Sequence, residues 1–141
     1  MQSGGRHMPS GMIFLMRGSA MENMGDSDFI QTGCIAATGG KIWYRVVGKN
    51  RPNPPLLVVH GGPGATHDYL EPLEALADKR PVIFYDQLDC GNSEKTDRRE
   101  LWTVERYREE LHQIRLALGL RKFYILGQSW GTVLAVEYAL N

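Results

Sequence analysis

The apolar residues of this chain fall into short runs separated by glycine-rich and proline-rich loops. Runs bounded by such turn signals are typical of buried strands, and here they predict strands at residues 56–59, 82–86 and 122–126. Two earlier segments flank Thr38-Gly39-Gly40, and this arrangement predicts an antiparallel hairpin of residues 29–37 and 41–47 with a glycine turn.

Helices are predicted between these strands. One apolar face recurs at steps of three and four, which predicts a helix with Thr103 as N-cap and Gly119 as its stop; the face consists of Val104, Tyr107, Leu111, Ile114 and Leu118. Residues 69–79 predict a second helix, with Pro72 tolerated in its first turn, and residues 132–140 a third. Buried strands alternating with helices indicate an α/β fold, a parallel sheet covered on both faces.

The most specific chemical signal is the sequence GQSWG at residues 127–131, directly after the last predicted strand. The pattern G-x-S-x-G between a strand and a helix is typical of a sharp turn that lifts a serine above the end of a sheet. Ser129 is therefore the candidate nucleophile. A chance turn between two core elements is the alternative that an isolated motif allows.

A second signal is HGGPG at residues 60–64, which continues the strand of residues 56–59. A glycine-rich loop presents backbone N–H groups that can stabilise the oxyanion of a tetrahedral intermediate. The residue after the candidate nucleophile, Trp130, is predicted to supply one backbone N–H donor. Gly62, or less readily Gly61, is predicted to supply the other. Phosphate binding is the alternative use of such a loop, but neither G-x-x-x-x-G-K-[ST] nor G-x-G-x-x-G is present.

Three motifs occur in order: HGGPG, YDQLDCGNS and GQSWG. Together they resemble the proline iminopeptidase family of α/β-hydrolases, from about Ile30 to the last residue. The resemblance implies the N-terminal half of an α/β-hydrolase fold, in which an antiparallel hairpin leads into a mostly parallel sheet. It also implies substrate contacts by Gly61, Gln128 and Cys90; for Cys90 the favoured alternative is a small buried apolar side chain. Asp89 departs from the pattern, because the family usually carries glycine there.

The family resemblance implies a Ser-Asp-His triad, in which the acid and the histidine follow the serine. After Ser129 the sequence contains no histidine, and Glu137 is the sole acidic or basic side chain in that segment. His60 is expected to organise the glycine loop, His67 to form hydrogen bonds within its loop, and His112 to face solvent. We therefore expect this chain to be inactive alone, as a truncated half or the partner of a second chain. The sheet edge beyond the nucleophile strand would favour instability or self-association.

The resemblance implies that the enzyme releases an N-terminal residue, proline or another small residue, from peptides or amino-acid amides through an acyl-enzyme on Ser129. Two alternatives stay open. A carboxylic-ester hydrolase or lactonase could share the same serine turn, and a non-catalytic module could retain the fold alone.

Composition narrows the classes of partner. Acidic and basic side chains number 16 each, so no basic surface for nucleic acid is indicated. Cys34 and Cys90 are too few for a disulfide scaffold and lack metal-ligand spacing. We expect a cytoplasmic protein without a metal or cofactor. Residues 1–27 predict a disordered leader or a cloning-derived extension before a domain of residues 28–141, and the apolar run at residues 11–16 is too short to span a membrane.

Overall fold

The structure is a computed structural model that describes residues 29–48 and 50–141. The predicted leader, residues 1–27, lies outside the described residues. The prediction of one domain over residues 28–141 remains an expectation.

The described residues form a five-stranded mixed sheet in the order β1-β2-β4-β3-β5. Its strands are β1 (Ile30–Ala37), β2 (Gly40–Val47), β3 (Leu56–Val59), β4 (Val82–Tyr85) and β5 (Tyr124–Gly127). The first two strands pair antiparallel in the register Ile30↔Val47, and β2 also pairs antiparallel with β4. Strand β3 pairs parallel with both β4 and β5. The predicted hairpin and the parallel strands that follow it are confirmed.

Two strand predictions need correction. Gly40 belongs to β2, so the hairpin turn consists of Thr38 and Gly39, and Gly39 has φ +102°. The strand predicted at residues 122–126 begins at Tyr124, and it is not buried: Tyr124 is 54% exposed. Strand β5 lies at the edge of the described sheet and pairs with β3 alone. The apolar pattern predicted the strand but not the exposure of its first residue, which follows from the edge position.

Two α-helices pack on the sheet. Helix α1 (Val104–Ala117) begins as predicted at Thr103, whose side-chain oxygen accepts a hydrogen bond from the Arg106 backbone N–H. The chain leaves α1 through Gly119, at φ +66°. Helix α2 (Trp130–Leu140) begins two residues earlier than predicted, directly after Ser129. The nucleophile candidate therefore lies immediately before the first residue of a helix.

The prediction of a helix at residues 69–79 is wrong in helix type. Residues Asp68–Asp78 form a 3₁₀-helix instead of an α-helix. Pro72 lies inside it, and proline cannot donate the α-helical hydrogen bond to residue 68 and would crowd that residue's carbonyl. The tighter i→i+3 pattern is seen at the start, where the Leu70 N–H donates to the His67 carbonyl at 2.8 Å.

The core has one layer on each face of the sheet. On one face, α1 and α2 cover alternate strand residues such as Leu57, Val59 and Tyr85. On the other, the 3₁₀-helix covers their neighbours, including Val58 and Phe84. Successive residues of a strand point to opposite faces, so continuous apolar runs supply both layers. The prediction of helices on both faces is confirmed.

Candidate active site

Ser129 lies on a sharp turn between β5 and α2. Its backbone has φ 53° and ψ −119°, a region that residues with a side chain rarely adopt. The residue is exposed, and its side chain makes no capping hydrogen bond to the helix that follows it. The hydroxyl is thus presented to solvent at the carboxyl end of β5 and is available for reaction.

The glycines on either side of the serine are required by close backbone contacts. A Cβ atom on Gly127 would lie 2.2 Å from the carbonyl oxygen of Gly131. A Cβ atom on Gly131 would lie 2.1 Å from the carbonyl oxygen of Val59. The first contact closes the turn on itself, and the second presses the turn against the end of β3. The motif therefore reflects steric necessity at two different interfaces.

The glycine-rich loop after β3 lies beside this turn. The Gln128 N–H donates to the Val59 carbonyl at 3.1 Å, which extends the pairing of β3 and β5 up to the residue before the serine. Gly62 has φ +128°, and a Cβ atom there would lie 2.5 Å from the Gly64 nitrogen, so only glycine fits. The Gly62–Pro63 peptide bond is cis.

The hydrogen bonds distinguish the proposed oxyanion donors. The Gly61 N–H donates to the Tyr69 hydroxyl at 2.6 Å and is therefore already engaged. Within residues 29–48 and 50–141, no hydrogen bond occupies the N–H of Gly62 or of Trp130. Trp130 is the first residue of α2, where backbone N–H groups lack intrahelical partners. Among the three candidates, Gly62 and Trp130 therefore keep free backbone N–H groups in the described residues, whereas Gly61 does not.

Tyr69 links the two loops, a role that the sequence did not reveal. Its hydroxyl accepts from the Gly61 N–H and donates to the Gln128 side-chain oxygen at 2.7 Å. One phenol thereby connects the glycine loop to the residue before the nucleophile. The predicted substrate-binding residues Gly61 and Gln128 are brought together here, and each uses a polar group in this connection.

A buried network beneath the loops fixes the first residue of α2. The His60 Nδ1–H donates to the Gly61 carbonyl at 2.7 Å, and its Nε2 accepts from the Gln87 N–H at 3.0 Å. The Trp130 indole N–H donates to the Gln87 side-chain oxygen at 3.1 Å. Burial lowers the pKa of His60, against the opposing effect of its bond to Gly61. A neutral His60 with both ring nitrogens engaged organises the loop and is not free to act as a base.

Asp86 is the anchor of the loop after β4. Its fully buried carboxylate accepts hydrogen bonds from the backbone N–H and the Nδ1 of His67, both at 2.9 Å. It also accepts from the backbone and side chain of Asn92, at 2.8 and 3.1 Å. Burial raises the pKa of Asp86, but the hydrogen bonds from Asn92 and His67 outweigh it, so the pKa lies below 3.8. Asp86 remains an ionised structural residue.

Asp89 adopts the backbone conformation that explains why glycine is usual at this position. Its φ is +66°, in the left-handed region that glycine occupies without penalty and aspartate tolerates. The carboxylate accepts from the Thr96 and Asp97 N–H groups, at 2.5 and 3.2 Å. The departure from the family pattern therefore preserves the turn and adds a side chain that closes the following loop. Cys90, predicted as a substrate contact, is buried and lines a cavity next to this turn.

The described residues bring no histidine to Ser129 as a hydrogen-bond partner. His67 bonds to Asp86, and His112 is half-buried on α1 rather than exposed as predicted, lining a cleft with Arg108 and Tyr138. Glu137, in the third turn of α2, has no bond to the serine among these residues. The described residues therefore bring together the candidate nucleophile and the two candidate donors, with no histidine bonded to the serine.

One cluster of ligand-type atoms occurs near the site. Within the described part of the chain, His67, Asp68 and Glu71 have one ligand atom each within 4.8 Å of one another. Arg45 pairs with one member of this cluster, because its Nη1 lies 3.1 Å from Glu71 Oε1.

Comparison with known proteins identifies the architecture. Residues 54–141, more than half of the chain, match the family model for the alpha/beta hydrolase fold. The chain belongs to the α/β-hydrolase fold family. It is 48% identical over 109 residues to a proline iminopeptidase of Heyndrickxia coagulans, a match that covers 77% of this chain and 38% of the relative. It is 50% identical over 101 residues to the proline iminopeptidase of Clostridium botulinum, covering 70% and 34%.

A solved structure gives the same likeness. The proline iminopeptidase of Mycobacterium smegmatis superposes with a TM-score of 0.73 at 36% identity, covering 78% of this chain and 39% of that one. The resemblance to this branch of the α/β-hydrolases is confirmed. The chain spans less than two fifths of the length of these relatives. No helix in the described ranges is long and apolar enough to cross a bilayer.

Sequence reasoning missed two residues of this α/β-hydrolase site, Tyr69 and Gln87. Tyr69 falls in a segment predicted only as a helix, and its hydroxyl meets Gln128 across 59 positions of sequence. Gln87 lies inside the YDQ motif but was not given a role, although it contacts both His60 and Trp130. No local pattern signals such contacts, because they depend on which loops the sheet order places side by side.

Proposed function

We propose that the protein is a serine hydrolase that releases an N-terminal residue, proline or another small residue, from peptides or amino-acid amides. The observation that carries the proposal is the exposed, strained Ser129 beside two unoccupied backbone donors. Similarity to proline iminopeptidases supports the substrate class. An ester hydrolase or lactonase would use the same serine, and a non-catalytic module would leave it unreactive.

The proposed reaction begins with attack of Ser129 Oγ on the scissile carbonyl carbon while a base removes the hydroxyl proton. The carbonyl oxygen becomes an oxyanion, which the N–H groups of Gly62 and Trp130 stabilise, with further support from the N-terminus of α2. Collapse of the intermediate breaks the C–N bond, and the leaving amine receives the proton. Water then attacks the acyl-serine ester, releases the acid and restores Ser129.

We propose that the base and its acid partner lie outside this sequence, in a further part of the protein or in a second chain that completes the domain. Three kinds of observation support this. His60 and His67 are engaged in structural bonds, no histidine follows Ser129, and the relatives are more than twice as long. Alone, this chain is expected to be nearly inactive, because an unassisted serine is a weak nucleophile. We also propose that the exposed edge at β5 receives the completing segment or a second copy.

The experiment that tests the function is labelling with a fluorophosphonate. The complete protein is expected to react at Ser129, and the Ser129→Ala variant is expected to lose the label. An unlabelled protein would contradict the hydrolase proposal and favour a non-catalytic module.

Substrate class is tested separately with prolyl and alanyl arylamides against simple aryl esters. Preferential turnover of the arylamides supports the peptidase assignment. Turnover confined to esters or lactones contradicts it while leaving Ser129 as the nucleophile.

We place the protein in the cytoplasm because Cys34 and Cys90 are both free thiols, as expected in a reducing compartment. Fractionation of cells that express it tests this placement. Recovery of the protein from the secreted or periplasmic fraction would contradict the proposal.

A further inference from the structure

A small cavity adjoins the proposed oxyanion loop. Its volume is about 260 Å³. The loop contributes Pro63 and Gly64 to its lining, directly after the proposed donor Gly62. The remaining lining residues come from the turn after β4 and from the region of α1, and they are Leu88, Asp89, Cys90, Trp102 and Tyr107. The cavity therefore joins the oxyanion loop to the turn in which this chain departs from its family.

One lining residue also packs against the residue that carries the second proposed donor. Tyr107 contacts the Trp130 ring edge-on, with centroids 5.8 Å apart. Leu88 and Cys90 are buried and present apolar surface. Burial raises the pKa of Cys90, against the opposing bond from the Gly64 N–H, so its thiol stays uncharged. A group that entered this cavity would meet a largely apolar lining beside the proposed oxyanion loop.

A hydrogen bond holds one lining residue in place. Trp102 is 51% exposed, so packing alone restrains it weakly. Its indole N–H donates to Asp89 Oδ2 at 2.9 Å. Asp89 Oδ1 is meanwhile fixed by the Thr96 and Asp97 N–H groups. Oδ1 thus closes the loop, and Oδ2 orients the indole while also accepting from the Thr96 hydroxyl at 3.2 Å.

We propose that Asp89 and Trp102 are a specificity-determining pair, which shapes this cavity to receive the small apolar acyl side chain of the substrate. This inference rests on the proposed function, because it requires an acyl group bound at Ser129. The occupant is inferred from position and chemistry: the cavity begins one residue beyond Gly62, its lining is largely apolar, and its volume is large enough for a short aliphatic or pyrrolidine group. Asp89 acts through Trp102 and is a positioning residue.

Two substitutions separate this role from simple loop closure. Asp89→Asn retains one oxygen for the Thr96 and Asp97 N–H groups but offers no acceptor to the indole. Trp102→Phe retains an aromatic ring but removes the N–H. The matched control is Asp97→Asn, which makes the same change in an exposed residue of the same loop that does not line the cavity.

The assay uses the complete protein that contains this chain. It measures kcat/KM for p-nitrophenyl esters from acetate to hexanoate, and for a second series that varies only the leaving group. Both Asp89→Asn and Trp102→Phe are expected to reduce discrimination along the acyl series by about tenfold. The leaving-group series, the control variant and the thermal midpoint of unfolding should be unchanged.

The outcomes distinguish the two proposals. If Ser129 is labelled by the fluorophosphonate but the acyl profile of both variants equals that of the parent, the pair has no role in specificity and the hydrolase function stands. A response confined to the leaving-group series would also overturn the assignment to the acyl side chain. If Ser129 is not labelled, the proposed function fails and this inference fails with it.

Discussion

The loops that follow β4 and β5 lie at the same end of the sheet, but their polar side chains differ in burial and in hydrogen bonding. After β4, Asp86 and Gln87 are fully buried, and the Asp86 carboxylate accepts four hydrogen bonds. After β5, Gln128 and Ser129 are exposed, and the Ser129 side chain makes no capping bond. A buried polar group must have hydrogen-bond partners, whereas the proposed nucleophile must remain accessible to substrate.

The largest expected effect on stability comes from a substitution in the loop after β4, whose buried polar groups are hydrogen-bonded. Asp86→Ala leaves the four donors of His67 and Asn92 without their acceptor, and it should lower the free energy of unfolding by about 4 kcal/mol. Urea unfolding measures this, with Asp78→Ala, at an exposed aspartate, expected to change stability by less than about 0.5 kcal/mol. A similar small effect for Asp86→Ala would show that the loop does not depend on its carboxylate.

The difference in free energy of unfolding between the parent and Asp86→Ala should depend on pH, and the direction follows from the pKa of Asp86. The folded pKa of Asp86 lies below its ordinary value of 3.8, so the unfolded chain binds the proton more readily. The stabilisation is complete above about pH 4 to 5 and is lost as pH falls through the folded pKa. The gap between the parent and Asp86→Ala should therefore narrow in acid. A gap that widens below pH 4 would contradict this assignment.

Gly131→Ala tests the contact of the serine turn after β5 with the end of β3. The added methyl group would lie 2.1 Å from the Val59 carbonyl oxygen and 2.7 Å from that of His60. Backbone atoms cannot yield as a flexible side chain can, so a loss of about 3 kcal/mol is expected. Val133→Ala, on the exposed face of the same helix, is the control. Equal thermal midpoints for the two variants would mean that the close approach is not required.

Tyr69→Phe tests the bond between the glycine loop and the nucleophile turn. The variant leaves the Gly61 N–H and the Gln128 side chain without the phenol, at an expected cost of about 1 to 2 kcal/mol. Because the link positions both loops, fluorophosphonate labelling of the complete protein should slow as well. Tyr124→Phe, an exposed tyrosine on β5, should leave both quantities unchanged. Loss of stability without slower labelling would restrict Tyr69 to a structural role.

Ser129→Gly should have the smallest effect on stability, and one of opposite sign. Glycine adopts φ 53°, ψ −119° more readily than serine, so the variant should be more stable by about 1 kcal/mol. Ser129→Ala keeps the Cβ atom that strains this backbone conformation, and it should change the free energy of unfolding by less than about 0.5 kcal/mol. A clearly destabilised Ser129→Gly would show that the serine side chain supports the fold and is not held ready for reaction.

Much of this arrangement could be predicted from local sequence, because some features depend on neighbouring residues alone. Thr103 and Gly119 bound α1 as expected, since capping is a property of a few adjacent positions. The turn at Ser129 was also predicted, because its glycines follow from steric limits within a short segment. The 3₁₀-helix at Asp68–Asp78 was not, because the apolar pattern does not resolve how tightly a helix containing Pro72 winds.

The sequence by itself determined the order of strands and helices, the serine turn and the glycine loop, since each is encoded by apolar periodicity or by residues a few positions apart. Only the tertiary structure decided that β5 pairs with β3 alone among the described strands, that Tyr69 occupies the Gly61 N–H, and that Asp89 holds Trp102 beside a cavity. These facts depend on the sheet order β1-β2-β4-β3-β5, which brings distant loops to one end. Contacts between such loops arise from packing, and no local pattern of residues specifies them.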